Sequence, residues 1–152
     1  MASKEVLIER YYPLIGAVIL SGLAFFLRLN IIKDYPLIVS NSITITSIFI
    51  GFEGTLAGVI LGSNAKAIKF MKRIGKLQIV MRYLFESIQA CFAFLAFSIA
   101  LLFSPIFDKL IYVSLIWFFL GVFSALLTYR AITIAVILLM AAASEDEDNG
   151  KI

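Results

Sequence analysis

Glu53 is the one charged residue in ITITSIFIGFEGTLAGVILG, the stretch from Ile43 to Gly62, and Gly54, Gly58 and Gly62 follow it at four-residue spacing. A lone carboxyl group in apolar surroundings can exchange a proton, hold a cation, or hydrogen-bond a neighbouring helix. Each of these needs a partner, because a charged residue at mid-depth in a bilayer costs at least about 2.5 kcal/mol when unpaired. A neutral, hydrogen-bonding acid is the form expected there. At a rise of about 1.5 Å per residue, Glu53 lies roughly 14 Å from Gly62, and Ser21 falls at a similar depth. Gln89 is nearer the membrane surface but has a longer side chain. Ser21 and Gln89 are therefore the candidate partners of Glu53.

The rest of the chain offers little chemistry. Its 152 residues include no histidine and a single cysteine, Cys91. That removes the commonest general base and metal ligand, leaves no Cys/His set for zinc, and forbids an intramolecular disulfide. Without an Asp-rich phosphotransfer motif, a catalytic reading would rest on one or two carboxylates. No enzymatic activity, metal or cofactor is expected, and no nucleic-acid recognition motif is present.

Composition says what must position Glu53. Hydrophobic residues make up 62% of the chain and charged residues 15%, against about 25% charged in soluble domains. Uncharged runs occupy Tyr11 to Leu27, Tyr35 to Phe52, Ser87 to Phe107 and Leu110 to Tyr129, and a spanning helix needs about 20 mostly apolar residues. The expected architecture is an all-α integral membrane four-helix bundle with spans near 11–29, 38–62, 84–104 and 110–129. The second span is long enough only if it continues through Glu53, which places the acid inside the membrane. Glu5 and Glu9 spoil the basic start of a secretory signal, so the first run is read as a span. Pro13 is expected in the first turn of its helix. Short turns at NIIKDYP and FSPIFDK make spans one and two, and spans three and four, antiparallel neighbours.

Lysine and arginine fix the orientation. The linker 63–82 carries Lys66, Lys69, Lys72, Arg73, Lys76 and Arg82 with no acid among them, which marks its side as cytoplasmic. With both ends on that side, ten basic residues lie inside and three (Arg28, Lys33, Lys109) outside. An N-in, C-in, multi-pass protein of the cell inner (plasma) membrane is the expectation, and the net charge of +3 reflects topology. In a helix, Lys66, Lys69, Arg73 and Lys76 would share one face and attract anionic lipid at about 1 kcal/mol per residue. The plainer and preferred reading of the linker is a basic loop that only obeys the positive-inside rule.

The fourth helix is expected to run on through 130–143, with an acidic disordered tail at 144–152. An apolar extension in water needs a partner: the basic linker, a second copy of the chain, a cytoplasmic protein, or the bilayer interface.

On a helical wheel, Thr44, Ser47, Gly51, Thr55, Gly58 and Gly62 fall within about 40° of one line, with Gly54 at its border. A face of small residues lets another backbone approach closely, and in lipid such contact replaces the missing hydrophobic drive between helices. Gly51, Gly54, Thr55, Gly58 and Gly62 are thus read as a packing seam. Glu53 lies about 160° round the helix, with Ser42, Thr46, Ala57 and Ile60. Matching stripes are Ala17, Ser21 and Ala24 on the first span; Glu86, Gln89, Ala93, Ala96 and Ala100 on the third; and Ser114, Gly121, Ala125 and Thr128 on the fourth.

The run FIGFEGTLAGVILGSNAKAIKFMKRIGKLQIVMRYLFESI, followed by a span rich in Phe and Ala, resembles small uncharacterised four-helix membrane proteins of prokaryotes. In these a Gly-rich span ends in a short polar step, a Lys-rich cytoplasmic helix and an Arg-Tyr-Leu-Phe-type re-entry. The similarity covers roughly Ser47 to Phe103. It implies a place among phage-defence gene neighbourhoods and supplies no catalytic signature and no counterpart for Glu53. The functional expectation is a membrane scaffold or interaction protein that oligomerises or recruits a cytoplasmic partner. The alternative is a small ion- or proton-coupled channel or transporter using Glu53.

Overall fold

The computed structural model describes residues 2–27, 35–62, 66–73, 75–103 and 111–149, and within these the backbone is helical almost throughout, with no strand. The helices are α1 (Ala2–Phe26), α2 (Tyr35–Gly62), α3 (Lys66–Arg73), α4 (Lys76–Leu102) and α5 (Ile111–Asn149). The fold is an all-α four-helix bundle built from α1, α2, α4 and α5. Residues 28–34 and 104–110, which hold most of both expected outer turns together with Arg28, Lys33 and Lys109, lie outside the described residues.

Three segments are long and apolar enough to cross a membrane: Pro36–Gly62, Leu77–Leu102 and Tyr112–Ile137. The apolar part of α1, Tyr11–Phe26, is shorter, reaching about 24 Å against a hydrocarbon core of roughly 30 Å. By length alone, three of the four expected spans qualify. Helix α1 also begins at Ala2, so Pro13 is inside it and buried rather than in its first turn. Five of the seven residues in the preceding KEVLIER (Lys4, Glu5, Leu7, Glu9 and Arg10) are good helix formers, which favours continuation through the proline.

The long helices pack in the order α2, α4, α5, α1. Helix α4 holds both α2 and α5, α1 lies on α5, and no comparable contact joins α1 to α2. This corrects the expectation that the first two spans are neighbours. A short connection permits adjacency, but side-chain fit decides it, and the small residues Ala17, Ser21 and Ala24 that α1 buries are those packed toward α5.

The core follows a heptad rhythm. Helix α4 buries Val80, Leu84, Ser87, Cys91, Phe94, Ser98 and Leu101, at alternating steps of four and three. Helix α5 buries Ser114, Trp117, Ser124, Thr128, Ala131 and Ala135, with half-buried Gly121 completing the series. Helix α2 buries Val39, Thr46, Glu53 and Ile60, one every seven residues. Such spacing keeps a seam turned toward a partner over many turns, as in left-handed coiled coils. Apolar clusters close the two ends: Val39, Phe94, Leu101 and Trp117 at one, and Ile60, Val80, Leu84, Ala131 and Ala135 at the end beside α3.

The preferred reading of the linker as a loop gives way to α3, a short helix with Lys69, Lys72 and Arg73 exposed and Ile68 buried toward α4 and α5. The side chains of Lys66 and Lys76 lie outside the described residues. Gly75 turns the chain from α3 into α4 with φ of 73°, a conformation a β-carbon resists. At the other end of the chain α5 continues to Asn149, past the expected stop at Ala143, because nothing between Ala141 and Asn149 breaks a helix before Gly150. Residues 150–152 of the expected tail lie outside the described ones.

A candidate functional site around Glu53

Glu53 is fully buried, at 0% exposure, where α2 crosses α4. The heptad step from Thr46 and on to Ile60 turns it inward, and α4 answers with Ser87 at the same level. Ser87 Oγ donates to Glu53 Oε1 over 2.6 Å. Ser87 and Thr128 hydroxyl oxygens lie 3.0 Å apart, and Cys91 Sγ is 3.4 Å from Thr128 Oγ1. Each hydroxyl carries one proton. In the Ser87–Thr128 and Cys91–Thr128 contacts either partner can be the donor. A chain of polar contacts from α4 through α5 and back to α4 thus ends on the α2 carboxyl group. Glu53 Oε2 has no hydrogen-bond partner among the described residues.

The structure does not bring the two expected partners to Glu53. Ser21 is buried on α1, its hydroxyl without a partner among the described residues. Gln89 is exposed and lines a cleft with Glu86 and Arg130. Depth alone selected them, and depth does not say which helix faces α2. Ser87 and Cys91 carried a usable signal: together with Phe94, Ser98 and Leu101 they make an uninterrupted four-three repeat, and two of its members are hydroxyls at the levels where an acid and an indole need them. The Ala-rich stripe read on this helix points outward instead, with Gln89, Ala93, Ala96 and Ala100 exposed.

Two further polar contacts sew α4 to α5. Trp117 Nε1 donates to Ser98 Oγ over 2.9 Å, its ring tilted against Phe94 at 5.6 Å between centroids. Arg130, only 3% exposed, donates from Nη2 to Glu86 Oε2 at 2.9 Å and lies over the Tyr83 ring at 4.3 Å. Arg82 Nε approaches the other Glu86 oxygen at 3.4 Å from an exposed position. No group of three or more metal-ligating side chains occurs among the described residues.

The glycine seam of α2 is not a contact between helices of this chain. Gly51, Gly54, Thr55, Gly58 and Gly62 are exposed, and a β-carbon at any of the four glycines would meet nothing within 4 Å. Their small size fits close packing, but α4 takes the opposite face of α2 because Glu53 must be buried there. The close approaches fall at Gly16, where a β-carbon would stand 2.9 Å from Leu126, and at Gly121, where it would stand 3.0 Å from the Phe94 ring.

No protein-family model, curated protein or solved structure matches the chain.

Proposed function

We propose that the chain is a multi-pass protein of the cell inner (plasma) membrane, with both termini in the cytoplasm, that acts as a scaffold or interaction component and not as an enzyme. In this reading it forms a homo-oligomer or recruits a cytoplasmic protein, and the resemblance noted above would make it a membrane component of a phage-defence system. The observation that carries the reading is the α2 face of Gly51, Gly54, Thr55, Gly58 and Gly62, small along its length and left uncovered by the chain's other helices. Thr55 returns its hydroxyl to Gly51 O at 2.8 Å, so that face presents no polar demand of its own. The exposed cations of α3 and the long reach of α5 past Ile137, about 18 Å to Asn149, offer a second contact surface. Glu53 is then a structural pin joining three helices.

The test is mass determination of the full chain in lipid nanodiscs together with Gly58→Leu. A wild-type oligomer that Gly58→Leu dissociates supports the proposal; a wild-type monomer that captures no cytoplasmic protein rejects it.

A second reading, an ion- or proton-coupled channel or transporter, is favoured by Glu53 Oε2, a buried oxygen with no hydrogen-bond partner among the described residues, on a carboxyl group joined to a chain of polar contacts. Proteoliposomes decide it. Proton or cation flux that disappears in Glu53→Gln would replace the scaffold reading with this one.

A further inference from the structure

Helices α2 and α5 both lean on α4 and touch each other little, so a cavity of about 460 Å³ remains between them, with the Phe94 ring of α4 in its wall. That volume is in the range of small-molecule sites. Three hydroxyls interrupt its apolar lining: Ser42 and Thr46 on α2, and Ser124 on α5. Each has already spent its proton on its own helix, Ser42 on Ile38 O at 2.8 Å, Thr46 on Ser42 O at 2.7 Å and Ser124 on Gly121 O at 2.9 Å. The indole N–H of Trp117 is spent on Ser98. What these side chains still offer the cavity is lone pairs, on three oxygens that can accept and have no proton left to donate. No charged side chain is among the described residues that line it. Glu53, the one acid of α2, lies about 6 Å further along the helix than Phe49 and is bonded to Ser87. Because Ser87 joins Glu53 to Thr128, the levels of α2 and α5 are set: Thr46 and Ser124 lie within about 5 Å of each other along the bundle, and Trp117 and Ile38 continue away from Glu53.

We infer that this cavity binds a neutral, lipid-soluble alcohol or phenol, its hydroxyl donating at the level of Thr46 and Ser124 and its apolar body lying along Phe94, Trp117 and Ile38. The lining rejects the neighbouring classes. An anion would meet lone pairs and no donor. A cation would leave water for apolar surroundings with no carboxylate in the wall to neutralise it. A ketone or ether of the same shape brings more lone pairs and no proton, and a plain acyl chain fills the volume but leaves the oxygens unused. Ile45 and Phe49 on the rim are exposed and apolar, which suits a ligand that partitions out of water. The inference goes beyond the scaffold reading and does not depend on it.

The probes are 4-nonylphenol and its methyl ether 4-nonylanisole, which lacks the proton. The full chain in mild detergent is titrated with each, bound probe is counted by native mass spectrometry, and Trp117, the chain's one tryptophan, reports from the cavity wall by its emission. One nonylphenol per chain is expected, bound about fivefold more tightly than nonylanisole, the yield of one net hydrogen bond. Thr46→Val combined with Ser124→Ala removes both acceptors and strands no donor, and should bring the two probes level. Ala125→Phe fills the cavity without touching a hydroxyl and should weaken both probes at least about tenfold while helicity by circular dichroism persists. Val122→Phe serves the same purpose if Ala125→Phe does not fold. A wild type that retains no nonylphenol, that binds the two probes equally or prefers the ether, or that takes up several copies without saturation overturns the proposal. So does binding that survives in a folded chain with the cavity filled.

Discussion

Ser87 on α4 and Glu53 on α2, 34 residues apart in sequence, are joined by a 2.6 Å hydrogen bond inside the bundle. Ser87 is also linked to Thr128 of α5, so a single hydroxyl ties three helices. Removing one side of such a contact strands the other. Ser87→Ala should lower stability by about 1–3 kcal/mol, the cost of an unsatisfied buried group. Glu53→Gln, which keeps an acceptor of the same shape, should cost less. Adding Glu53→Leu to Ser87→Ala should recover part of the loss, because both polar ends are then gone. Unfolding in detergent of wild type, Ser87→Ala, Glu53→Leu and the double variant closes the cycle, with Glu53→Gln beside it, and strictly additive losses would show that the two side chains are not coupled.

Trp117, the chain's one tryptophan, reports on its own hydrogen bond to Ser98. Ser98→Ala leaves the buried indole N–H without its acceptor and should cost about 1–3 kcal/mol. The indole emission should move to shorter wavelength in the variant while circular dichroism stays unchanged. An unmoved emission maximum would mean that the bond to Ser98 does not set the indole environment.

Much of the architecture was legible in the sequence, for reasons that single residues make plain. Uncharged runs around Thr46, Phe94 and Phe119 are a matter of composition, and composition suffices to place apolar helices of membrane-spanning length. Burial of Glu53 was legible too, because the second run is long enough only if it contains the acid. Partnership was harder. Ser21 sits at a suitable depth but on a helix that packs against α5, and a sequence states depth along one helix more directly than adjacency between two. The glycine stripe misled for a related reason: a small face is suited to contact, but nothing local says whether the other surface belongs to the same chain. The alternating steps through Ser87, Cys91, Phe94 and Ser98 do carry that information, since they mark the faces that α4 and α5 turn toward one another.

Topology hinges on α1. Its apolar stretch is shorter than the other three, yet the register set by Gly16 on Leu126 runs it antiparallel to α5 until Phe26 is level with about Ile116. Its apolar part therefore lies beside about Ile116 to Ala131, within the apolar span Tyr112–Ile137 of α5. A reporter active only outside the inner membrane should be silent at both Met1 and Ile152 and active at Lys33. Activity at one terminus alone would mean that only α2, α4 and α5 cross.

The two kinds of glycine in this chain should respond oppositely to enlargement. At Gly121 a β-carbon would lie 3.0 and 3.1 Å from two atoms of the Phe94 ring, and that ring is itself wedged against Trp117. Gly121→Val should therefore force α4 and α5 apart and cost about 1–3 kcal/mol, as overpacking of a filled core does. At Gly58 nothing stands within 4 Å, so Gly58→Leu should leave the unfolding midpoint of the isolated chain within about 0.5 kcal/mol of wild type, the range of ordinary surface changes. Any effect of Gly58→Leu belongs to contacts with another molecule and should appear only in lipid at concentrations where chains meet. Unfolding in dilute detergent beside mass determination in nanodiscs separates the two effects. Loss of stability for Gly58→Leu in dilute detergent would show that the seam is buried within one chain after all.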